Sequence, residues 1–373
     1  MGKKNDNYLV QGSILAAAGI IVRLIGLFYK VPMTRILGDE GIGYYNTAYE
    51  IYNIGLILSS YSLPLAVSKQ IALSRSGKRP GDVKRVFDCG IAFGVITGGV
   101  MTAVLLAGAD LIASLLFQSP GSALPLRVMA PTILVFAVMG VFRGFFQGRG
   151  NMIPTSISQI IEQVVHAGVS IWASYDFMNR FADKPNPASY GAAGGTLGTF
   201  VGALAAFLFL AAMMALYSRG RRRRDPGRCS SYKRVALALF LTVVPIILSQ
   251  TVYQLSGTVD NSMFGIIMGG KGFAEKERME LLGIYSGKYR LLTNVPVAIA
   301  TSLGASMIPS IVTSKTTKKY GEVRRKIYMT IKFNMLIAIP CAVGMGVLAS
   351  PILQLLFGDS REMSARLLMM GAS

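Results

Sequence analysis

Charged residues are scarce in this sequence. Only 15% of the 373 residues are Asp, Glu, Lys or Arg, whereas about a quarter of a typical soluble domain is charged. Hydrophobic residues make up 52% of the chain, and its mean hydropathy is +0.49. They fall in runs of roughly 20 or more, the length that crosses a bilayer. This composition excludes a disordered chain, a coiled coil and most soluble enzymes, and predicts an all-α, polytopic membrane protein.

Residue types that carry enzyme chemistry are also rare. The chain has one histidine, one tryptophan and three cysteines. The cysteines, Cys89, Cys229 and Cys341, have no C-x-x-C spacing, which argues against a zinc site or a disulfide framework and favours small packing residues. The sequence contains neither a P-loop nor a G-x-S-x-G elbow. We therefore expect no enzyme, no metal site and no bound cofactor.

Acidic residues number 18 against 38 Lys and Arg, a net charge of +20. Such an excess can indicate nucleic-acid binding, but here the basic residues lie in alternate loops. One set of loops holds 24 of the 38 and the opposite set holds six: the first comprises residues 3–4, 69–85, 143–149, 219–234 and 315–326. By the positive-inside rule the N-terminus is cytoplasmic. The partner of these charges is then the lipid bilayer, not nucleic acid.

Four consecutive arginines at 221–224 lie in the most basic of these loops. They could form a nucleic-acid or anionic-lipid patch. We favour a topology anchor within a linker that Pro226 and Gly227 make flexible.

The apolar runs predict nine transmembrane spans and the start of a tenth. The spans lie near 9–37, 43–68, 86–117, 123–147, 152–175, 190–217, 235–268, 282–313 and 327–357. We divide the chain into an N-terminal lobe of six spans (1–217), a basic cytoplasmic linker (218–234) and a partial C-terminal lobe of three to four spans (235–373). Transporters are often built from two such bundles.

Glycines recur at every fourth position in three of these spans. Each set places a flat stripe on one helix face, which predicts close contact with a neighbouring helix. The sets are Gly90, Gly94 and Gly98; Gly140, Gly144 and Gly148; and Gly194, Gly198 and Gly202.

Ionisable side chains at bilayer depth normally face a cavity or a partner, because burying a charge in lipid is costly. Arg23 and Lys30 lie two helical turns apart on one face of the first span. Arg35 lies near its outer end, where a snorkelling role is the simpler interpretation. Arg290 lies just inside the eighth span. We expect Arg23 and Lys30, joined by Arg290, to line a basic cavity.

Glu50 and Asn53 share one face of the second span. Glu50 either neutralises Lys30 or lines the cavity, and the sequence does not decide between these. Asp260, in the middle of the seventh span, either pairs with a basic residue, the nearest in sequence being Lys271, or serves as a Na⁺ or H⁺ site.

Glu162 and His166 are four residues apart in the fifth span. A proton relay could use such a pair. We favour a hydrogen bond between them that stabilises the helix bundle.

Several segments resemble the multidrug/oligosaccharidyl-lipid/polysaccharide flippase superfamily. Within it they are most similar to the branch of stage V sporulation protein B and polysaccharide biosynthesis proteins, which is related to the lipid II flippases. The resemblance rests on VRLIG at 22–26, TRILG at 34–38, LPLAVSK at 63–69, RGFFQG at 143–148, MIPT at 152–155, SQIIEQ at 158–163, KYRLLTNVP at 288–296 and ASMIPS at 305–310. These motifs form four blocks, at 22–38, 63–69, 143–163 and 288–310, and four blocks in this order with matching topology are a specific signal.

This resemblance implies two helical lobes around a central cavity in a bacterial cytoplasmic membrane. The cargo it implies is a polyprenyl-pyrophosphate-linked glycan, moved outward by alternating access. Arg23 and Arg290 match two basic positions that grip the pyrophosphate in lipid II flippases. Two others differ: one aligns with Tyr29, beside Lys30, and one with the apolar stretch around Leu56. Family members usually have twelve to fourteen helices, so we expect this chain to be truncated at its C-terminal side.

Two other functions remain open from the sequence. One is a cation-coupled multidrug antiporter of the same fold, in which Glu50 and Asp260 would act together. The other is a non-transporting membrane scaffold in envelope or spore synthesis. The sequence names no protein partner.

Overall fold

A computed structural model describes residues 2–76, 80–219, 230–316 and 319–372. These residues form helices and connecting turns, with no strand among them. The helices are α1 (Gly2–Ser59), α2 (Leu63–Ser76), α3 (Pro80–Phe117), α4 (Ala123–Met129), α5 (Thr132–Gly148), α6 (Ile153–Arg180), α7 (Pro187–Arg219), α8 (Tyr232–Gly270), α9 (Glu275–Gly283), α10 (Arg290–Thr316), α11 (Tyr320–Val347), α12 (Ala349–Phe357) and α13 (Glu362–Ala372). A π-helical turn, Ile284–Tyr289, joins α9 to α10.

Five helical segments in the described part of the chain are long and apolar enough to cross a membrane. They are Gly81–Phe117, Pro120–Gly148, Pro187–Ser218, Tyr232–Gly270 and Tyr320–Val347, which correspond to five of the nine predicted spans. The other four predicted spans also fold as helices, in α1, α2, α6 and α9 to α10. The chain is thus an all-α, multi-pass membrane protein, as predicted.

Three predicted boundaries are wrong. The loop expected at 38–43 is reduced to a single non-helical residue, Gly38, whose φ of 66° is readily adopted only by glycine. The span expected at 43–68 is broken, because α1 ends at Ser59 and Pro64 lies at the start of α2. The span expected at 327–357 is divided between α11 and α12. Hydropathy alone did not reveal these breaks.

The close packing predicted from the glycine stripes is confirmed. A β-carbon on Gly144 would lie 2.7 Å from the carbonyl oxygen of Pro64, and one on Gly148 would lie 2.6 Å from that of Ser68. Helix α5 therefore packs directly on the backbone of α2. Gly194 brings α7 equally close to the backbone of α6. Side chains at these positions would force the helices apart.

The first turns of α8 pack against the preceding helices. Val235 and Leu239 belong to the same buried cluster as Leu63 of α2 and Val141 of α5. Residues 220–229, which include the arginine run, Pro226, Gly227 and Cys229, lie outside the described residues. The division into two lobes joined by a linker stays a prediction.

Four charged side chains form what we call the outer ion cluster, at the end of the molecule predicted to face outward. The Lys288 ammonium lies 2.7 Å from a carboxylate oxygen of Asp39 and 2.6 Å from one of Asp359. Arg361 pairs with both carboxylates. Burial raises the pKa of Asp359, but hydrogen bonds from Arg361 and Lys288 outweigh it and hold this pKa well below its usual range.

The cluster joins α1 to the π-turn and to the loop between α12 and α13. Nearby, Arg35 donates to the carbonyl oxygens of Leu355 and Leu356 near the end of α12, the one to Leu356 at 2.7 Å. Arg35 therefore satisfies backbone acceptors at a helix C-terminus, a more specific role than the predicted snorkelling.

Candidate functional site

The candidate site centres on Arg290, the first residue of α10 after the π-turn. Its guanidinium Nη1 lies 3.3 Å from Oε1 of Glu50 on α1, and its side chain is 49% exposed. Glu50 is only 12% exposed. The pair joins residues 240 positions apart in sequence. About half of the arginine side chain remains exposed and can contact a ligand.

Asn261 of α8 is a third member of this site, and the sequence analysis missed it. Its side-chain amide donates to Oε2 of Glu50. Glu50 is thus shared between α8 and α10. Its polar amide in the middle of an apolar span could have identified it from the sequence. The interpretation of this span rested on the adjacent Asp260 instead.

Asp260 is exposed and forms no ion pair within the described part of the chain. The alternative of a pair with a basic residue therefore finds no partner among the described side chains, and Lys271, the nearest in sequence, caps the far end of α8. Asp260 directly precedes Asn261, whose amide contacts Glu50, so the two acidic residues lie in one neighbourhood. Asp260 is therefore a second carboxyl group beside the Glu50–Arg290 pair.

Arg23 and Lys30 supply the other positive charges. Arg23 is exposed on α1, and its Nη1 lies 3.5 Å from the hydroxyl of Thr301 on α10. Lys30 is half-buried and close enough to Arg290 for the two cations to repel each other. The structure thus places three cations on α1 and α10, the two helices on which the basic cavity was expected.

Of the two alternatives for Glu50, the pair with Lys30 is not formed, because Glu50 faces Arg290 and Asn261 instead. Asn53 lies one turn beyond Glu50, half-buried. Its side chain makes no hydrogen bond to any other described residue, so it is available on the same face as Glu50.

The predicted Glu162–His166 hydrogen bond is wrong. Glu162 pairs with Arg143 of α5 at 2.7 Å, and a charge-assisted bond of this kind is stronger than one to a neutral imidazole. His166 instead lies 3.2 Å from the hydroxyl of Thr199 on α7 and packs against the Tyr29 ring. Both residues are engaged in contacts between helices, which suits a structural role.

The fold is that of the transporters of the MOP superfamily. A solved inward-facing multidrug resistance MATE family transporter of that superfamily superposes with a TM-score of 0.70, covering 98% of this chain and 79% of its own. The sequences are only 15% identical, so this likeness shows the fold alone.

Residues 9–315 match the family described as polysaccharide biosynthesis protein, and the chain belongs to that family. It is 23% identical to the lipid II flippase MurJ of Bacillus subtilis, over 97% of this chain and 69% of the relative. It is 24% identical to stage V sporulation protein B of the same organism, over 95% of this chain and 68% of the relative. The resemblance stated from the sequence motifs is confirmed.

Proposed function

We propose that this chain is a flippase for a polyprenyl-pyrophosphate-linked oligosaccharide, working by alternating access in the bacterial cytoplasmic membrane. The observation that carries the proposal is that three cations lie on two helices in contact: Arg23 and Lys30 on α1, with Arg23 reaching Thr301 of α10, and Arg290 on α10, paired with Glu50 of α1. Family membership and the name of the Bacillus relative, a lipid II flippase, support it. As such a carrier the protein is not an enzyme, and it binds the lipid-linked glycan and the bilayer.

The chemistry of this cation set suits a pyrophosphate. Guanidinium groups pair with phosphate oxygens through two parallel hydrogen bonds, and an ammonium adds a compact charge. In the proposed cycle the pyrophosphate competes with Glu50 for Arg290. Because Asn261 also holds Glu50, the carboxylate keeps a partner when Arg290 turns to the cargo.

Replacing both Arg23 and Arg290 by alanine is expected to weaken binding of a polyprenyl-pyrophosphate glycan at least about tenfold. Each lost charge-assisted hydrogen bond is worth about 1.5–3 kcal/mol, reduced here because both side chains are exposed. Binding is measured with purified protein in nanodiscs.

A matched control is the double variant Arg180→Ala/Arg366→Ala. Both of these arginines are exposed and paired within their own helices, so this control removes the same charge without touching Arg23, Lys30 or Arg290. Full binding by Arg23→Ala/Arg290→Ala, or equal losses in both double variants, would refute the proposed cationic site.

Replacing Glu50 by glutamine is expected to strengthen glycan binding about two- to fivefold. The change frees Arg290 from its ion pair, which is worth about 0.2–1 kcal/mol at this exposure, and Asn261 can still bond to the new amide oxygen. The measurement is the dissociation constant at fixed salt. Weaker binding would mean that the carboxylate itself contacts the cargo.

One observation favours a second candidate, a cation-coupled antiporter. Asp260 is adjacent to Asn261, which contacts Glu50, and two neighbouring carboxyl groups could hold a proton or Na⁺. Asp260 is our proposed ion-coupling residue under either function. Dye efflux driven by a proton or Na⁺ gradient, lost in Asp260→Asn and unaffected in Arg23→Ala/Arg290→Ala, would move the assignment to the antiporter. A scaffold would show neither efflux nor glycan binding.

A further inference from the structure

We propose that a crevice between α2, α3 and α8 binds the headgroup of an anionic phospholipid in the cytoplasmic leaflet. The crevice lies away from the candidate site and encloses about 260 Å³. Its polar lining comes from Gln70, Ser74, Asp82, Ser230 and Arg234, and the remaining walls are apolar.

The one carboxylate in the crevice is already engaged. Asp82 is buried and accepts hydrogen bonds from the backbone nitrogen of Ser230 at 2.6 Å and from its hydroxyl at 2.8 Å. Arg85 donates to the Ser230 carbonyl and lies over the Tyr232 ring, 4.9 Å from its centre. These contacts attach the start of α8 to α3 and give the crevice a rigid wall.

Arg234 is the cation left to a ligand. It is exposed, and its guanidinium forms no ion pair within the residues that the structure describes. Ser74 and Gln70 lie in the same lining, where the Ser74 hydroxyl donates to the Gln70 carbonyl and the Gln70 amide to the Ala238 carbonyl. A single guanidinium among neutral side chains suits a phosphate diester, which carries one negative charge and several acceptor oxygens.

The position of the crevice points to a lipid as the source of that phosphate. Its lining residues lie within 70–86 and 230–238, next to two segments of the basic set predicted to be cytoplasmic. Tyr232 is 51% exposed at this level, as aromatic residues at a membrane interface are. Farther along α8, Leu237, Phe240 and Leu241 are exposed apolar side chains along which acyl chains can lie.

The size of the crevice argues for a small headgroup. Pockets for larger ligands enclose roughly 300–1,000 Å³, so about 260 Å³ is too little for an oligosaccharide but suits a phosphate and its glycerol. Anionic lipids are also drawn to basic segments by long-range attraction alone. The test must therefore separate a shaped site from the general positive charge of these loops.

Substitutions of two neighbouring residues distinguish a shaped site from general electrostatic attraction. Lys233 precedes Arg234 and carries the same charge, but it does not line the crevice. Long-range attraction predicts equal effects of Lys233→Gln and Arg234→Gln, whereas a shaped site predicts an effect of Arg234→Gln alone. Ser74→Leu fills the crevice without changing charge and serves as an independent variant.

The experiment titrates the detergent-solubilised full chain with phosphatidylglycerol, with phosphatidylcholine and with inorganic phosphate, and follows the thermal midpoint. A ligand that binds the folded state raises this midpoint with concentration. We expect phosphatidylglycerol alone to stabilise the wild type and Lys233→Gln, and its affinity to fall roughly tenfold or more in Arg234→Gln and Ser74→Leu.

Three outcomes would overturn the proposal. Equal losses in Lys233→Gln and Arg234→Gln would indicate attraction without a site. An equal response to phosphatidylcholine would remove the requirement for an anionic headgroup. The same shift with inorganic phosphate would make the crevice a free-anion site and not a lipid site.

Discussion

Replacing Lys288 by methionine is expected to lower the free energy of unfolding by about 3–5 kcal/mol, the usual cost of removing one partner of a buried ion pair. Lys288 is 6% exposed and Asp359 is 4% exposed. Without the ammonium, Asp39 and Asp359 face each other with only the half-exposed Arg361 as a counter-charge. The measurement is chemical unfolding of the detergent-solubilised protein.

Lys276→Met is the matched control for this prediction. Lys276 also pairs with a carboxylate next to the Gly38 break, but its ammonium lies 3.9 Å from Glu40 and its side chain is 68% exposed. Exposed pairs contribute about 0–1 kcal/mol, so this variant should unfold almost like the wild type. Equal effects of the two substitutions would show that the outer ion cluster does not behave as a buried network.

The contribution of Asp359 to the stability of the wild-type protein should be the same at pH 5 and pH 8. The pKa of Asp359 in the folded protein lies below its unfolded value of about 3.9. Its contribution to stability is therefore complete above that unfolded value, and it is lost only as the pH falls toward the lower, folded pKa. The measurement is the difference in the free energy of unfolding between the wild type and Asp359→Asn, and a difference that shrinks between pH 8 and pH 5 would contradict this account.

Replacing Gly194 by alanine is expected to destabilise the protein by about 3 kcal/mol, the upper part of the usual overpacking range. The new β-carbon would collide with the carbonyl oxygen of Ala173 and would lie 2.9 Å from the backbone nitrogen of Ser174. Backbone atoms inside α6 cannot rotate away as a side chain can. Helices α6 and α7 would have to separate along their contact.

Gly168→Ala, on α6 of the same helix pair, is expected to change the stability in the opposite direction. Gly168 lies on α6, and a β-carbon added there would meet no neighbouring atom within 4 Å, so alanine should stabilise the helix by about 0.4–1 kcal/mol. Both variants are compared by unfolding in detergent and by the fraction of monodisperse protein. If Gly194→Ala were as stable as Gly168→Ala, the close contact of α6 and α7 would be refuted.

Helix faces could be predicted from the sequence because they depend on spacing alone. Glycines four apart fall on one side of a helix whatever lies beside it, and the stripes containing Gly144 and Gly194 do face neighbouring helices. Arg23 and Lys30 were assigned to one face of α1 for the same reason. Residue spacing does not reveal which helix packs against that face.

The pairings were therefore the part that could not be predicted. Glu50 meets Arg290 and Asn261, more than 200 residues away, instead of Lys30. Glu162 meets Arg143 instead of His166, one turn along its own helix. Each of these choices depends on how two helices are rotated and how far apart they lie, and only their packing sets those quantities.

By itself, the sequence determined the all-α membrane class, the family and the residue types of the cationic site. These follow from local properties, because apolar runs in a bilayer must satisfy every backbone hydrogen bond within a helix. The tertiary structure alone decided that Asp39, Lys288, Asp359 and Arg361 form one cluster and that Glu50 holds Arg290. Electrostatic pairing acts over a few ångströms, so it is decided only when distant segments have packed together.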